Sequence, residues 1–142
     1  MRFGALFLAG YLMTGAPASA EIGRVKSSIG AAFVVRGKDQ VPARPGLPLE
    51  PQDVLVTKRD GRLAMIFIDN TRFALGPNSN VSVKQFLFDR KTQRGQFETV
   101  LNRRTLAVVS GQIAKSGQDS MRVRTPTTVL GVRGTRFVVN VP

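Results

Sequence analysis

The sequence predicts an all-β domain, and three observations carry that reading. After the first 20 residues there is almost no helical periodicity. Short runs rich in Val, Ile, Phe and Thr alternate with turn signals at near-regular spacing. Polar and apolar residues also alternate cleanly in Val81-Ser82-Val83-Lys84 and in Phe97-Glu98-Thr99-Val100-Leu101, the period of a half-buried strand.

The N-terminus reads as a processing signal. Arg2 is a positive n-region, Phe3 to Met13 is an apolar stretch too short to span a membrane, and Ala18-Ser19-Ala20 is a small-x-small cleavage site. The mature chain is therefore expected to begin at Glu21, with residues 1–20 a cleaved signal peptide and 21–142 one domain. Cys is absent, so no lipid-anchored cysteine and no disulfide is available, although export would permit one. The expected location is periplasmic or secreted.

Strands are expected over 23–28, 31–36, 53–57, 62–68, 72–75, 81–88, 95–109, 112–115, 121–125 and 135–141. The alternation slips by one between Val83 and Phe86, which predicts a bulge. Asp89-Arg90-Lys91-Thr92-Gln93-Arg94-Gly95 reads as a charged hairpin tip. Pro42, Pro45, Pro48 and Pro51 recur every third residue, the repeat of a polyproline II helix. They predict an extended strap over the core that keeps an edge from pairing; the other reading is a ligand for a proline-binding module. Near the C-terminus, two Val- and Thr-rich runs flank Gly131-Val132-Arg133-Gly134 and read as strand, turn, strand.

Two tracts resemble the FecR domain, a bacterial extracytoplasmic module. One runs from Thr57 through Asp60-Gly61 and Asp69-Asn70-Thr71 to Gly76-Pro77-Asn78-Ser79. The other is Thr125-Pro126 followed by Val132-Arg133-Gly134-Thr135-Arg136-Phe137. Asn70-Thr71 stands where the family usually writes Gly-Ser, and Asn tolerates the left-handed corner that Gly would supply. The likeness covers residues 23–141. It implies a solenoid-like form; composition and pattern alone leave a β-solenoid and a flattened β-sandwich both open. Full-length regulators of the family add a cytoplasmic anti-sigma segment and a membrane helix. Neither is seen here, so the resemblance implies a stand-alone exported module that binds or scaffolds.

Catalysis is poorly supported. With no His and no Cys, the usual general base near neutral pH, the thiolate nucleophile and the imidazole or thiolate metal sites are all missing. The carboxylates Asp39, Glu50, Asp53, Asp60, Asp69, Asp89, Glu98 and Asp119 are spread along the chain, with no calcium-loop clustering. No enzyme activity, cofactor or metal is expected.

The chemical signal is charge. The chain carries +12, or +11 once Arg2 leaves with the signal. Lys58, Arg59, Arg90, Lys91, Arg94, Arg103 and Arg104 recur near turns and strand faces and are the candidate anion-binding residues. The alternative is a solvated surface that keeps a β-rich protein soluble. Export favours an envelope protein as partner, with an anionic glycan or lipid headgroup as the second choice. Nucleic acid is disfavoured, because no Trp is present and the lone Tyr11 lies in the signal. Arg133 is expected to be a partly buried cation tied to Asp69 or Asp53. With Gly134 and Thr135 these residues form the expected structural motif.

Overall fold

A computed structural model describes residues 21–134 and 136–142; the expected signal peptide and Thr135 lie outside the described residues. Twelve strands and one short helix follow in order. They are β1 (Gly23–Ile29), β2 (Ala32–Arg36), β3 (Asp39–Pro42), β4 (Pro48–Leu49), β5 (Val54–Thr57), β6 (Arg62–Phe67) and β7 (Arg72–Leu75). After these come β8 (Asn80–Asp89), β9 (Arg94–Val109), α1 (Gln112–Ser116), β10 (Met121–Arg124), β11 (Val129–Gly131) and β12 (Arg136–Val141).

The strands form one curled sheet in the order β3-β2-β5-β8-β9-β7-β6-β1-β4, with β10 and β12 branching from β9 and β11 pairing with β10. Pairing is antiparallel except between β10 and β9. The long strand β9 makes the curl. Its first part pairs with β8 and β10, its last part with β7 and β12, and Arg104 between them adopts φ 66. A strand that turns there serves both halves of the sheet, which then face each other across one core.

Alternation decides what fills that core. In one half, Val34, Leu55, Val81 and Leu101 are cross-strand neighbours and all are buried. In the other, Val25, Met65, Phe73 and Val108 make the equivalent row. The rings of Phe67 and Phe73 from one half meet those of Phe86 and Phe97 from the other. Phe97 packs 4.8 Å from Phe67, 4.8 Å from Phe86 and 5.5 Å from Phe73. Each fully buried Phe contributes about 1.5–3 kcal/mol by leaving water, and each ring pair about 0.5–1.5 kcal/mol more.

The expected bulge is present: the register of β8 against β9 shifts between Val83 and Gln85, so Val83 and Phe86 both face inward while Lys84 and Gln85 face solvent. Asn70 sits at φ 69, the left-handed corner its residue type allows.

Two expectations need correction. Residues 112–115 form the start of helix α1, not a strand. The proline segment is a strap, but not a free polyproline helix: Pro42 lies in β3 and Pro48 in β4, and these strands are the two ends of the sheet path. Between them the strap's backbone pairs with β2 and β1, the strands next to those ends. Ala43 N donates to Ala32 O (2.9 Å), Gly46 N to Val25 O (2.8 Å), and Leu47 O accepts from Val25 N (2.9 Å). The strap therefore stitches the curled sheet shut on that side.

Candidate functional site

The buried polar residues of the resembling tracts serve the fold. Thr57, fully buried, donates from Oγ1 to Gly76 O (2.6 Å) and accepts from Ser79 N (2.9 Å). Ser79 Oγ in turn donates to Thr105 O (3.1 Å) and accepts from Thr105 N (3.0 Å), at the point where β9 turns. These bonds satisfy backbone groups that no ladder serves.

Asp69 is 0% exposed and works the same way. Its carboxylate accepts from Thr71 N (3.0 Å), Thr71 Oγ1 (2.7 Å) and Ile113 N (3.2 Å), and its carbonyl accepts from Gln112 N (2.8 Å). Gly111 N completes the set on Thr71 Oγ1 (3.2 Å). A turn some 44 positions earlier thus supplies the acceptors for the first N–H groups of α1. Gly111 must lack a side chain here, because a Cβ would lie 2.3 Å from Asp69 O and 2.4 Å from Thr71 N.

Asp53 is 1% exposed and has an arginine partner, but the partner is Arg36. Arg36 Nε and Nη2 donate to its two oxygens (3.0 and 2.8 Å), and Nη2 also reaches Pro48 O (3.0 Å). Glu50 N donates to the same carboxylate (2.9 Å), and the Glu50 side chain lies 3.0 Å from Arg36. The hydrogen bond to Asp53 raises the Arg36 pKa; partial burial opposes it, and the charges of Asp53 and Glu50 reinforce it. The group anchors β2 to the strap.

The expected pairing of Arg133 with Asp69 or Asp53 is therefore corrected: both carboxylates are engaged elsewhere, and Arg133 is exposed. The corner 131–134 does not fold β11 onto β12. It carries the chain from β11, which pairs with β10, to β12, which pairs with β9 in the other half of the sheet. Gly134 takes φ +53, as a tight corner requires. Thr135 is outside the described residues.

The candidate anion-binding residues separate into two groups. Lys58 and Arg59 follow β5, and Arg103 and Arg104 lie where β9 turns; Asn80, paired with both Val56 and Arg103, ties these to one end of the sheet. Arg90, Lys91 and Arg94 lie at the other end, on the β8–β9 hairpin. This second group is joined by Lys115, Arg133 and Arg136, none of them among the expected anion-binding residues. Arg94 and Lys115 line one cleft of about 230 Å³. Lys115 and Arg133 line a second of about 410 Å³, and Lys115 and Arg136 a third of about 460 Å³. Among the described residues no carboxylate lines any of the three. Arg24 and Arg90 share a further shallow cleft, with Glu21 on its wall.

On the outer face of the sheet, Arg24, Ile66, Arg72, Val109 and Arg136 form one cross-strand row. Successive arginines are two strands apart, about 10 Å. Strand parity could have revealed them: with Phe73 and Leu75 inward, Arg72 must point out. Strand parity cannot place Lys115, which lies on helix α1.

This surface can bind negative charge; little else in it resembles reaction chemistry. Among the described residues no group of three potential ligands could hold a metal ion. Glu50 and Asp53 do converge, but on the Arg36 guanidinium that neutralises them. Among the described residues no helix is long and apolar enough to cross a membrane. In comparison with known families, a family model described as FecR protein matches residues 53–141. Neither curated proteins nor solved structures gave a match.

Proposed function

We infer the function from one premise: the chain belongs to the FecR family, a family of sensing and regulatory modules. We propose that it is an exported, non-enzymatic FecR-type module that binds protein partners in the bacterial cell envelope. The observation that carries this reading is the basic end around Lys115, where Arg94, Arg133 and Arg136 border clefts without a lining carboxylate. An acidic protein face would complement it, steer the encounter and fix its orientation. The buried Asp53, Thr57, Asp69, Thr71 and Ser79 are all bonded within the fold, which supports a binding role. The order of Arg2, the apolar stretch Phe3 to Met13 and Ala18-Ser19-Ala20 in the sequence supports export.

A second reading is binding of an anionic glycan or lipid headgroups. The row Arg24, Arg72 and Arg136 favours it, since evenly spaced cations suit a repeating polyanion. Affinity capture from an envelope extract, with the parent beside the double variant Lys115→Glu/Arg133→Glu, tests the proposal. Loss of protease-sensitive material from the variant, with unchanged melting, supports a protein partner. Retention on anionic vesicles or heparin that vanishes in high salt, with no protein captured, favours the polymer. Equal capture by parent and variant would remove the basic end from the account.

A further inference from the structure

The two sides of the curled sheet are finished very differently. On one, the strap joins edges β3 and β4, and Pro42 and Pro48 withhold N–H groups from any newcomer. On the other, β12 pairs only with β9 and β11 only with β10. Strand β12 spans six residues, contains no Pro, and among the described residues has no partner strand along its outer edge.

The side chains there are those of an unfinished core. The buried row Val25, Met65, Phe73 and Val108 continues to Phe137, and the row Leu63, Leu75 and Leu106 continues to Val139. Phe137 and Val139 pack on the core yet remain partly exposed. With Leu130, Gly131, Val132 and Val138 they line an apolar cleft of about 270 Å³ beside the open edge. Val129 and Val138 are 53% and 66% exposed.

We propose that this edge accepts an extended strand from a protein partner, added to β12 with its apolar side chains in the Leu130–Phe137–Val139 cleft. The partner segment alternates apolar and acidic residues. The apolar half follows from the cleft, and the acidic half from its rim, where Arg122, Arg124, Arg133 and Arg136 outnumber the nearby carboxylates, Asp119 beside Gly131 and Glu98, which lies across from Arg122 and pairs with Arg124. Charge complementarity disfavours a second copy of this chain, since each copy carries +12. Main-chain hydrogen bonds would supply affinity and the cleft would select the side chains. The inference rests on the protein-binding reading above and places the backbone contact on the β12 edge, which adjoins the basic end through Arg133 and Arg136.

The test uses an end-capped fluorescent peptide that alternates valine and glutamate over the length of β12. Two controls accompany it: one with lysine for glutamate, one with a central proline. Binding is read by anisotropy, and its location by amide hydrogen exchange. The proposal expects the acidic peptide to bind and alternate amides of β12 to gain protection. The proline peptide should bind about tenfold or more weakly, since ladder hydrogen bonds are lost, and the lysine peptide should not bind. Leu130→Asp, at an exposed position, should weaken binding while leaving the melting temperature near that of the parent. Undiminished binding of the proline peptide, with protection confined to the surface around Lys115, would overturn the edge-strand inference while leaving the basic end intact. No binding of the alternating acidic peptide, or concentration-dependent dimerisation through β12, would also overturn it.

Discussion

The Arg36–Asp53 pair offers the sharpest test of how the strap is held. Arg36→Ala leaves the Asp53 carboxylate, 1% exposed, with Glu50 N as its one remaining hydrogen-bond donor, and sets the Glu50 carboxylate beside it without the shared cation. Breaking a buried pair in this way costs about 3–5 kcal/mol. The Arg36 side chain is 34% exposed, so water can replace part of what is lost, and the expected cost is about 3 kcal/mol. For a domain of this size that is a fall of roughly 12 °C in Tm. Asp53→Ala should cost less, because the freed guanidinium can turn to solvent. The double variant should fall short of the sum of the singles by about 1 kcal/mol or more, as residues in direct contact do. Thermal unfolding by circular dichroism reads all three, with Arg133→Ala as the exposed control, expected within about 0.5 kcal/mol of the parent. The reasoning fails if Arg36→Ala melts with the parent, or if Arg133→Ala falls as far as Arg36→Ala.

Further outcomes follow from the same geometry. Gly111→Ala drives a Cβ into the backbone of the 69–71 turn and should cost about 1–3 kcal/mol, whereas Gly76→Ala, whose Cβ would meet only Thr105 at 3.7 Å, should not; paired melts decide. Asp69→Ala strips three hydrogen bonds at once, so exchange of the α1 amides should rise sharply, while Asp69→Asn keeps one acceptor and should be milder. Gly134→Val forces a β-branched residue to φ +53 and should cost about 1–3 kcal/mol; a neutral melt would contradict the strained corner. N-terminal sequencing of the exported protein should begin at Glu21, and a mature protein that retains Met1 would contradict the export proposal.

Most strands were legible because a two-residue period is local: Phe73 and Leu75 inward, Arg72 and Ala74 outward, needs only four residues of sequence. The β8 bulge was equally local, since Val83 and Phe86 cannot share a face without one. Helix α1 was not legible. Its five residues carry no cap of their own, and its first N–H groups depend on Asp69 and Thr71, which no local window contains. The partner of Asp53 was hidden for a similar reason. Arg36 becomes its neighbour only when β2 pairs with β5, and nothing in the sequence distinguishes it from the other arginines. Likewise, the grouping of Arg94, Lys115, Arg133 and Arg136 is produced by the curl of the sheet. The sequence showed the excess charge but not that three separate segments would bring it to one end.

The central claim is that the buried residues Asp53, Thr57, Asp69, Thr71 and Ser79 hold the fold while the basic end makes the contact. Amide hydrogen exchange of the protein, alone and with material captured from the envelope, tests this directly. The account predicts new protection on the β8–β9 hairpin, α1 and the 131–134 corner, with the amides of Thr57, Thr71 and Ser79 unchanged. Protection centred instead on Lys58, Arg59, Arg103 and Arg104, at the far end of the sheet, would contradict it.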